Sequence, residues 1–129
     1  MGIFYARGTL IQPRSGSKRA LRFLVDTGAC YSVVPRDILS ALKIQPVREE
    51  IVQFADGRKA RWKLGEARLE INGRSVATLV LFGKKGTQPL LGAYSIEGLG
   101  LSVDSRHRRL IPGPVVIVAA ARRRGGSPA

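Results

Sequence analysis

Two dipeptides constrain the fold of this chain more than any other feature, because each marks a tight hairpin between apolar-patterned runs. Asp56-Gly57 lies between Ile51 to Phe54 and Ala60 to Leu64, and Asn72-Gly73 lies between Arg68 to Ile71 and Ser75 to Phe82. Asp-Gly and Asn-Gly supply the positive φ angles that a two-residue hairpin turn requires. Beside the second turn, Ala67, Leu69 and Ile71 alternate with polar residues, the period of a half-buried strand. Two successive hairpins make a meander, and the centre of the chain is therefore expected to be β-structure.

The flanking segments extend this pattern. Thr9 to Gln12 and Arg22 to Asp26 are apolar stretches joined by Pro13-Arg14-Ser15-Gly16-Ser17, which has turn composition. Pro35 to Leu42 opens with Pro and brings Ile38, Leu39 and Leu42 to one face, which predicts a short amphipathic helix. Leu90-Leu91-Gly92 precedes a second short helix ended by Gly98 and Gly100. A final strand pair is expected at Leu101 to Asp104 and Arg109 to Pro112. Val115 to Ala121 is apolar on both alternating faces, which a strand has reason to be only when both are covered, so it is an interface candidate.

A chain of 129 residues with 44% hydrophobic content supports one core. The expected organisation is a single domain over residues 1–121, followed by a basic, disordered tail over 122–129. A single cysteine, Cys30, excludes an internal disulfide and suits a reducing compartment. The first residues read as no signal peptide, and the longest apolar run is far below the roughly 20 residues of a membrane span. The expectation is a cytoplasmic protein without membrane contact. Lys and Arg number 22 against 9 acidic residues, a formal net charge of +13, which would attract nucleic acid or acidic substrates. No acidic residue follows Asp104, while six arginines do. This is read mainly as a solvated surface with a basic tail.

The chemistry is carried by Phe23-Leu24-Val25-Asp26-Thr27-Gly28-Ala29, an apolar strand that delivers a carboxylate, a hydroxyl and a glycine at its end. Aspartate is disfavoured in buried strands, so its position needs a reason. By itself Asp-Thr-Gly is also a respectable turn. Its ordered companions are Ser32-Val33-Val34-Pro35, the Asp56-Gly57 hairpin and Leu90-Leu91-Gly92. His107 is the only histidine, sits among arginines and is read as solvated, so neither a zinc cluster nor a Ser-His-Asp triad is easily built. No cofactor or metal is implied.

In this ordered set the chain resembles the retropepsin-like aspartic proteases over about Leu21 to Pro112. It is more similar to their single-lobed prokaryotic members than to the viral enzymes, because Ala55-Asp56-Gly57 stands where a Gly-rich flap tip would be. The resemblance implies an all-β lobe, a closed barrel with one or two short helices, acting as a homodimer. It implies an aspartic endopeptidase in which Asp26 from each of two subunits forms the catalytic pair, since one chain holds one such motif. Thr27 would brace the two loops across the two-fold axis, Gly28 would let backbone approach substrate, and Ala29 would line the site. Phe54, Ala55, Asp56 and Gly57 would form a flap tip over the peptide substrate, and Gly92 would allow close packing behind the catalytic loop. Cys30 and Tyr31 are candidate pocket-lining residues. Two other readings remain open: a catalytically silent dimeric peptide-binding module of the same fold, and a basic nucleic-acid-binding protein. The latter lacks the interleaved aromatics of a stacking platform, with none after Tyr94.

Overall fold

The computed structural model describes residues 3–115 and 117. Within them the chain runs through β1 (Tyr5–Ile11), β2 (Lys18–Val25), β3 (Ser32–Pro35), α1 (Arg36–Ala41), β4 (Pro46–Gln53), β5 (Lys59–Ile71), β6 (Arg74–Gly83), β7 (Leu90–Leu91), α2 (Ala93–Gly98), β8 (Leu101–Asp104) and β9 (Arg109–Pro112). Seven strands form one sheet in the order β1-β2-β7-β3-β6-β5-β4. A further antiparallel pairing sets Thr9 to Ile11 of β1 against Arg68 to Glu70 of β5. That pairing joins six strands into a ring, leaves β4 outside it, and so produces the barrel-like lobe that the resemblance implies. Strands β8 and β9 pair separately.

Local chemistry explains the turns. Asn72 and Gly73 take φ values of 54° and 78°, and Gly57 takes 90°, so both hairpins use the left-handed conformation that Asn and Gly adopt at least cost. Pro35 caps α1, and Asp37 in the first turn complements the positive end of the helix. Leu39 turns into the core beside Leu42.

The core fills the ring from alternating strand positions: Leu10, Phe23, Leu69, Ile71 and Leu91 are each 2% exposed or less. Leu39 from α1 and Ile96 from α2 close its ends. Full burial of each such side chain is worth about 1.5–3 kcal/mol. A smaller cluster of Val33, Leu64 and Leu81 carries Tyr31, Val52, Trp62, Leu79 and Leu90 at its margin.

The structure departs from the sequence expectation in several places. Ala60 to Leu64 and Arg68 to Ile71 belong to one 13-residue strand, β5. It pairs with β4 up to Gly65 and with β6 from Leu64 onward, so the chain continues while its partner changes. Gly65 at the changeover has no room for a side chain, since a Cβ there would lie 3.0 Å from the Gln45 carbonyl oxygen and from Phe82. Strand β4 begins five residues before Ile51 and ends before Phe54, which belongs to the turn. Ser32 to Pro35 forms a fully buried strand of its own. His107 is exposed, but it is not merely solvated. Its Nδ1 lies 2.9 Å from Asp104 Oδ2, which also accepts the Arg109 Nε–H at 3.1 Å, and together they tie off the β8–β9 turn. These contacts, that with His107 foremost, hold the Asp104 carboxyl below its usual range. The apolar stretch from Val115 to Ala121 and the tail over 122–129 lie, residues 115 and 117 excepted, outside the described residues.

Candidate active site

Asp26 stands just past the end of β2, where the chain leaves the sheet and forms a loop before β3. Its backbone N–H donates to the Leu91 carbonyl of β7 at 3.0 Å, and its own carbonyl accepts the Ala29 N–H at 3.1 Å. Oδ1 accepts the Gly28 N–H at 3.0 Å. The carboxylate is thus half-buried and oriented by its own loop, and among the described residues no ion pair involves it. Thr27 and Gly28 are exposed at the surface of the lobe, and Ala29 is half-buried.

The loop is held from behind by the start of α2. The N–H groups of Ala93 and Tyr94, which an α-helix leaves without internal partners, donate to the carbonyls of Ala29 and Cys30 at 2.8 and 2.9 Å. Gly92 lies against the same loop: a Cβ there would meet the Tyr31 carbonyl carbon and oxygen at 2.5 Å and the Ala29 oxygen at 2.9 Å. The close packing expected of Gly92 is therefore present in the geometry.

Beneath this contact lies a chain of hydroxyls that sequence reasoning missed. Ser32 Oγ accepts the Gly92 N–H at 3.0 Å and is 2.7 Å from Ser95 Oγ, which is 2.7 Å from Thr78 Oγ1. All three residues are buried. The available signal was a hydroxyl inside each of three apolar segments, but nothing local shows that β3, β6 and α2 bring them together. Ser95→Ala removes the central member and leaves the Thr78 hydroxyl buried without a partner, at a cost of about 1–3 kcal/mol. Chemical denaturation should show that loss with an unchanged m-value, whereas a change within error would mean that water or a rotamer shift replaces the bond.

The β4–β5 hairpin holds the residues expected to form a flap tip, Phe54 to Gly57, at its turn. The Phe54 N–H donates to the Arg58 carbonyl at 2.8 Å, and the Gly57 N–H to the Phe54 carbonyl at 2.9 Å. Asp56 binds the Arg58 N–H at 3.0 Å and its Nε–H at 2.7 Å. The Arg58 backbone N–H first, and its guanidinium second, hold the Asp56 carboxyl below its ordinary value. A lowered carboxyl stabilises the turn above the ordinary carboxylate range, and that contribution disappears as pH falls through the lowered value. The Arg58 amide resonance should therefore keep its position through mildly acidic pH and move only below the usual aspartate range. Movement at or above that range would contradict the arrangement.

Phe54 packs edge-on against Trp62, with ring centroids 5.7 Å apart. Trp62 and Val52 of the hairpin share the smaller apolar cluster with Tyr31, so the base of the hairpin and the loop that carries Asp26 rest on common side chains. A cavity of about 460 Å³ opens between the tip and the loop before β7, lined by Phe54, Arg58, Trp62, Lys84 and Thr87 among others. Cys30 and Tyr31 are not among the residues that line this cavity. Cys30 is exposed, and Tyr31 packs against Tyr94 with centroids 5.7 Å apart. Among the described residues no group of three or more His, Cys, Asp or Glu is placed to hold a metal ion, and no helix is long and apolar enough to cross a membrane.

Known proteins share these features. The family model described as "gag-polyprotein putative aspartyl protease" matches residues 16–97, more than half of the chain, from before β2 through α2. Among solved structures, the solution structure of simian foamy virus (mac) protease superposes with a TM-score of 0.52 at 19% identity, covering 72% of this chain and 91% of that one. At that identity the likeness concerns the fold. No curated protein matches the chain at a significant level. The matched segment contains Asp26-Thr27-Gly28, the flap hairpin and Leu90-Leu91-Gly92 in order. The chain belongs to the gag-polyprotein aspartyl protease family and is a retropepsin-like, aspartic-type endopeptidase.

Proposed function

We propose that the active enzyme is a homodimer in which the Asp26 carboxylates of two chains meet and share one proton. The observation that carries this reading is Asp26 itself: one carboxylate, oriented by the Gly28 N–H, on a loop whose Thr27 and Gly28 are exposed at the lobe's surface. Peptide hydrolysis through water needs one group to take a proton and another to give one. Two close carboxylates repel when both are ionised, so the pair retains a single proton and holds both functions at once. The ionised Asp26 takes a proton from water as its oxygen bonds to the peptide carbon, and the protonated Asp26 gives its proton to the carbonyl oxygen. Collapse of the tetrahedral intermediate breaks the C–N bond as the departing nitrogen receives a proton from the pair.

In this dimer Thr27 is the residue placed to bond across the two-fold axis, and Ala29 borders the site. The tip from Phe54 to Gly57 closes over an extended peptide and excludes water. The hydroxyl chain from Ser32 to Thr78, with Gly92, fixes the loop from behind and touches no substrate.

Dilution tests the shared site. Against an unfolded protein substrate at mildly acidic pH, specific activity should fall as the enzyme is diluted through its dimer dissociation constant, in step with the dimer fraction measured by sedimentation. Specific activity that stays constant while sedimentation shows only monomer would overturn the shared-site reading.

A further inference from the structure

The cations on this protein are not spread evenly around the flap. A second cavity, of about 440 Å³, lies between α1 and the base of the β4–β5 hairpin and is floored by Ile44 and Phe82. Five cations line it: Arg36, Lys43, Arg61, Lys63 and Lys84; no acidic residue does. Among the described residues, the only ion pair any of the five makes is between Arg61 and Glu49, at 3.9 Å across the exposed face of the hairpin. The other four hold their charge without a carboxylate partner. The strand pattern explains the concentration. Lys59, Arg61 and Lys63 alternate on the exposed face of β5, while Ala60, Trp62 and Leu64 take the inward face.

This basic cavity shares Trp62 and Lys84 with the cavity beneath the flap tip. Sharing these residues, the two cavities adjoin, and the groove they make is lined by Phe54 at one end and by Lys43 and Arg36 at the other. Both cavities flank the hairpin proposed to close over the substrate, so a polypeptide held there would pass beside cations of which four have no carboxylate partner.

We propose that this groove is an extended subsite for an acidic segment of the polypeptide substrate, a role that rests on the protease reading above. Lys and Arg ammonium and guanidinium groups take up Asp and Glu carboxylates, while the Trp62 and Phe82 rings offer apolar surface to their methylenes. Unpaired cations in a concave site raise the local concentration of an anionic chain and speed its capture. Phe82 and Trp62 are both half-buried, which limits the ring area open to base stacking.

The test is binding to the Asp26→Asn variant, which separates this proposal from the question of catalysis. Fluorescein-labelled octaglutamate should bind at low salt, a Ser-Gly peptide of equal length should not, and the affinity should fall steeply as salt is raised. Lys63→Gln/Lys84→Gln should weaken octaglutamate binding at least about fivefold, the size expected when two close charge contacts are lost. Arg106→Gln/Arg108→Gln removes equal charge from the β8–β9 turn and should change it less than about twofold. Equal weakening by both pairs would mean a diffuse field and overturn the site. Tighter binding of octathymidylate with the same dependence on Lys63 and Lys84 would overturn the peptide assignment in favour of a single-stranded nucleic acid.

Discussion

Asp26→Asn should lower kcat by at least about 10²–10⁴-fold, the contribution of a positioned general acid or base, and should leave the fold intact. Asn has the same shape, and its amide oxygen can still accept the Gly28 N–H now bound by Oδ1 at 3.0 Å. The expected change in stability is accordingly within about 0.5 kcal/mol, as for a substitution outside the core. The sharper form of the experiment mixes the variant with wild-type enzyme. If each site draws one Asp26 from each of two chains, equal amounts leave roughly a quarter of dimers with two carboxylates, because assembly is random between equivalent subunits. Excess variant should then suppress activity almost completely while total protein rises. Mixing that merely dilutes the activity in proportion would show that each chain works alone. Cleavage by the pure variant at the wild-type rate would remove Asp26 from the mechanism.

Gly92→Ala should destabilise the protein by about 1–3 kcal/mol or more and impair catalysis, although residue 92 touches no substrate. The new Cβ would lie 2.5 Å from both the carbon and the oxygen of the Tyr31 carbonyl and 2.9 Å from the Ala29 oxygen. These are backbone atoms of the catalytic loop, so no side chain can rotate away to relieve the contact. Either the loop that carries Asp26 moves or the start of α2 does, and the bonds from Gly92, Ala93 and Tyr94 to Ser32, Ala29 and Cys30 lengthen together. For a domain of this size each lost kcal/mol lowers Tm by roughly 2–8 °C. Activity should fall at least about tenfold at temperatures where the variant is still folded, because misplacing a catalytic group by about 1 Å costs about a hundredfold. Gly98→Ala is the matched control. Its Cβ would meet only the Val76 side chain, at 3.3 Å, and both Tm and kcat should stay near wild type. A Gly92→Ala enzyme as stable and active as wild type would show that the loop's position is not set by this contact.

The candidate site was partly legible in the residues, and the dividing line is physical. Asp26 stood out because a carboxylate at the end of an apolar strand is costly without a use, but only its ordered companions along the chain separated it from an ordinary turn residue. The β4–β5 hairpin could be found because Asp56-Gly57 marks its turn in two adjacent residues. The hydroxyl chain could not, since Ser32 and Ser95 are 63 residues apart and Ser95 and Thr78 are 17 apart. A serine in an apolar segment looks the same whether its partner is water or another segment's hydroxyl. Net charge showed that the surface is basic, but only the tertiary placement of α1, β5 and the loop after β6 gathers Arg36, Lys43, Lys63 and Lys84 around one cavity.

The sequence alone determined the features that depend on a few neighbouring residues. Asn72-Gly73 places its hairpin through positive φ at both residues and Asp56-Gly57 through Gly57, Pro35 stands just before α1, and β8 and β9 occupy the residues expected of the final strand pair. Tertiary structure alone decided where these pieces meet. It made one strand of two apparent ones by changing the partner of β5 at Gly65, and it closed the ring through β1 and β5. It also set Gly92 against the Tyr31 carbonyl. Such contacts join residues distant in sequence, and their energy comes from burial and hydrogen bonds shared between segments. No single stretch of the chain carries that information.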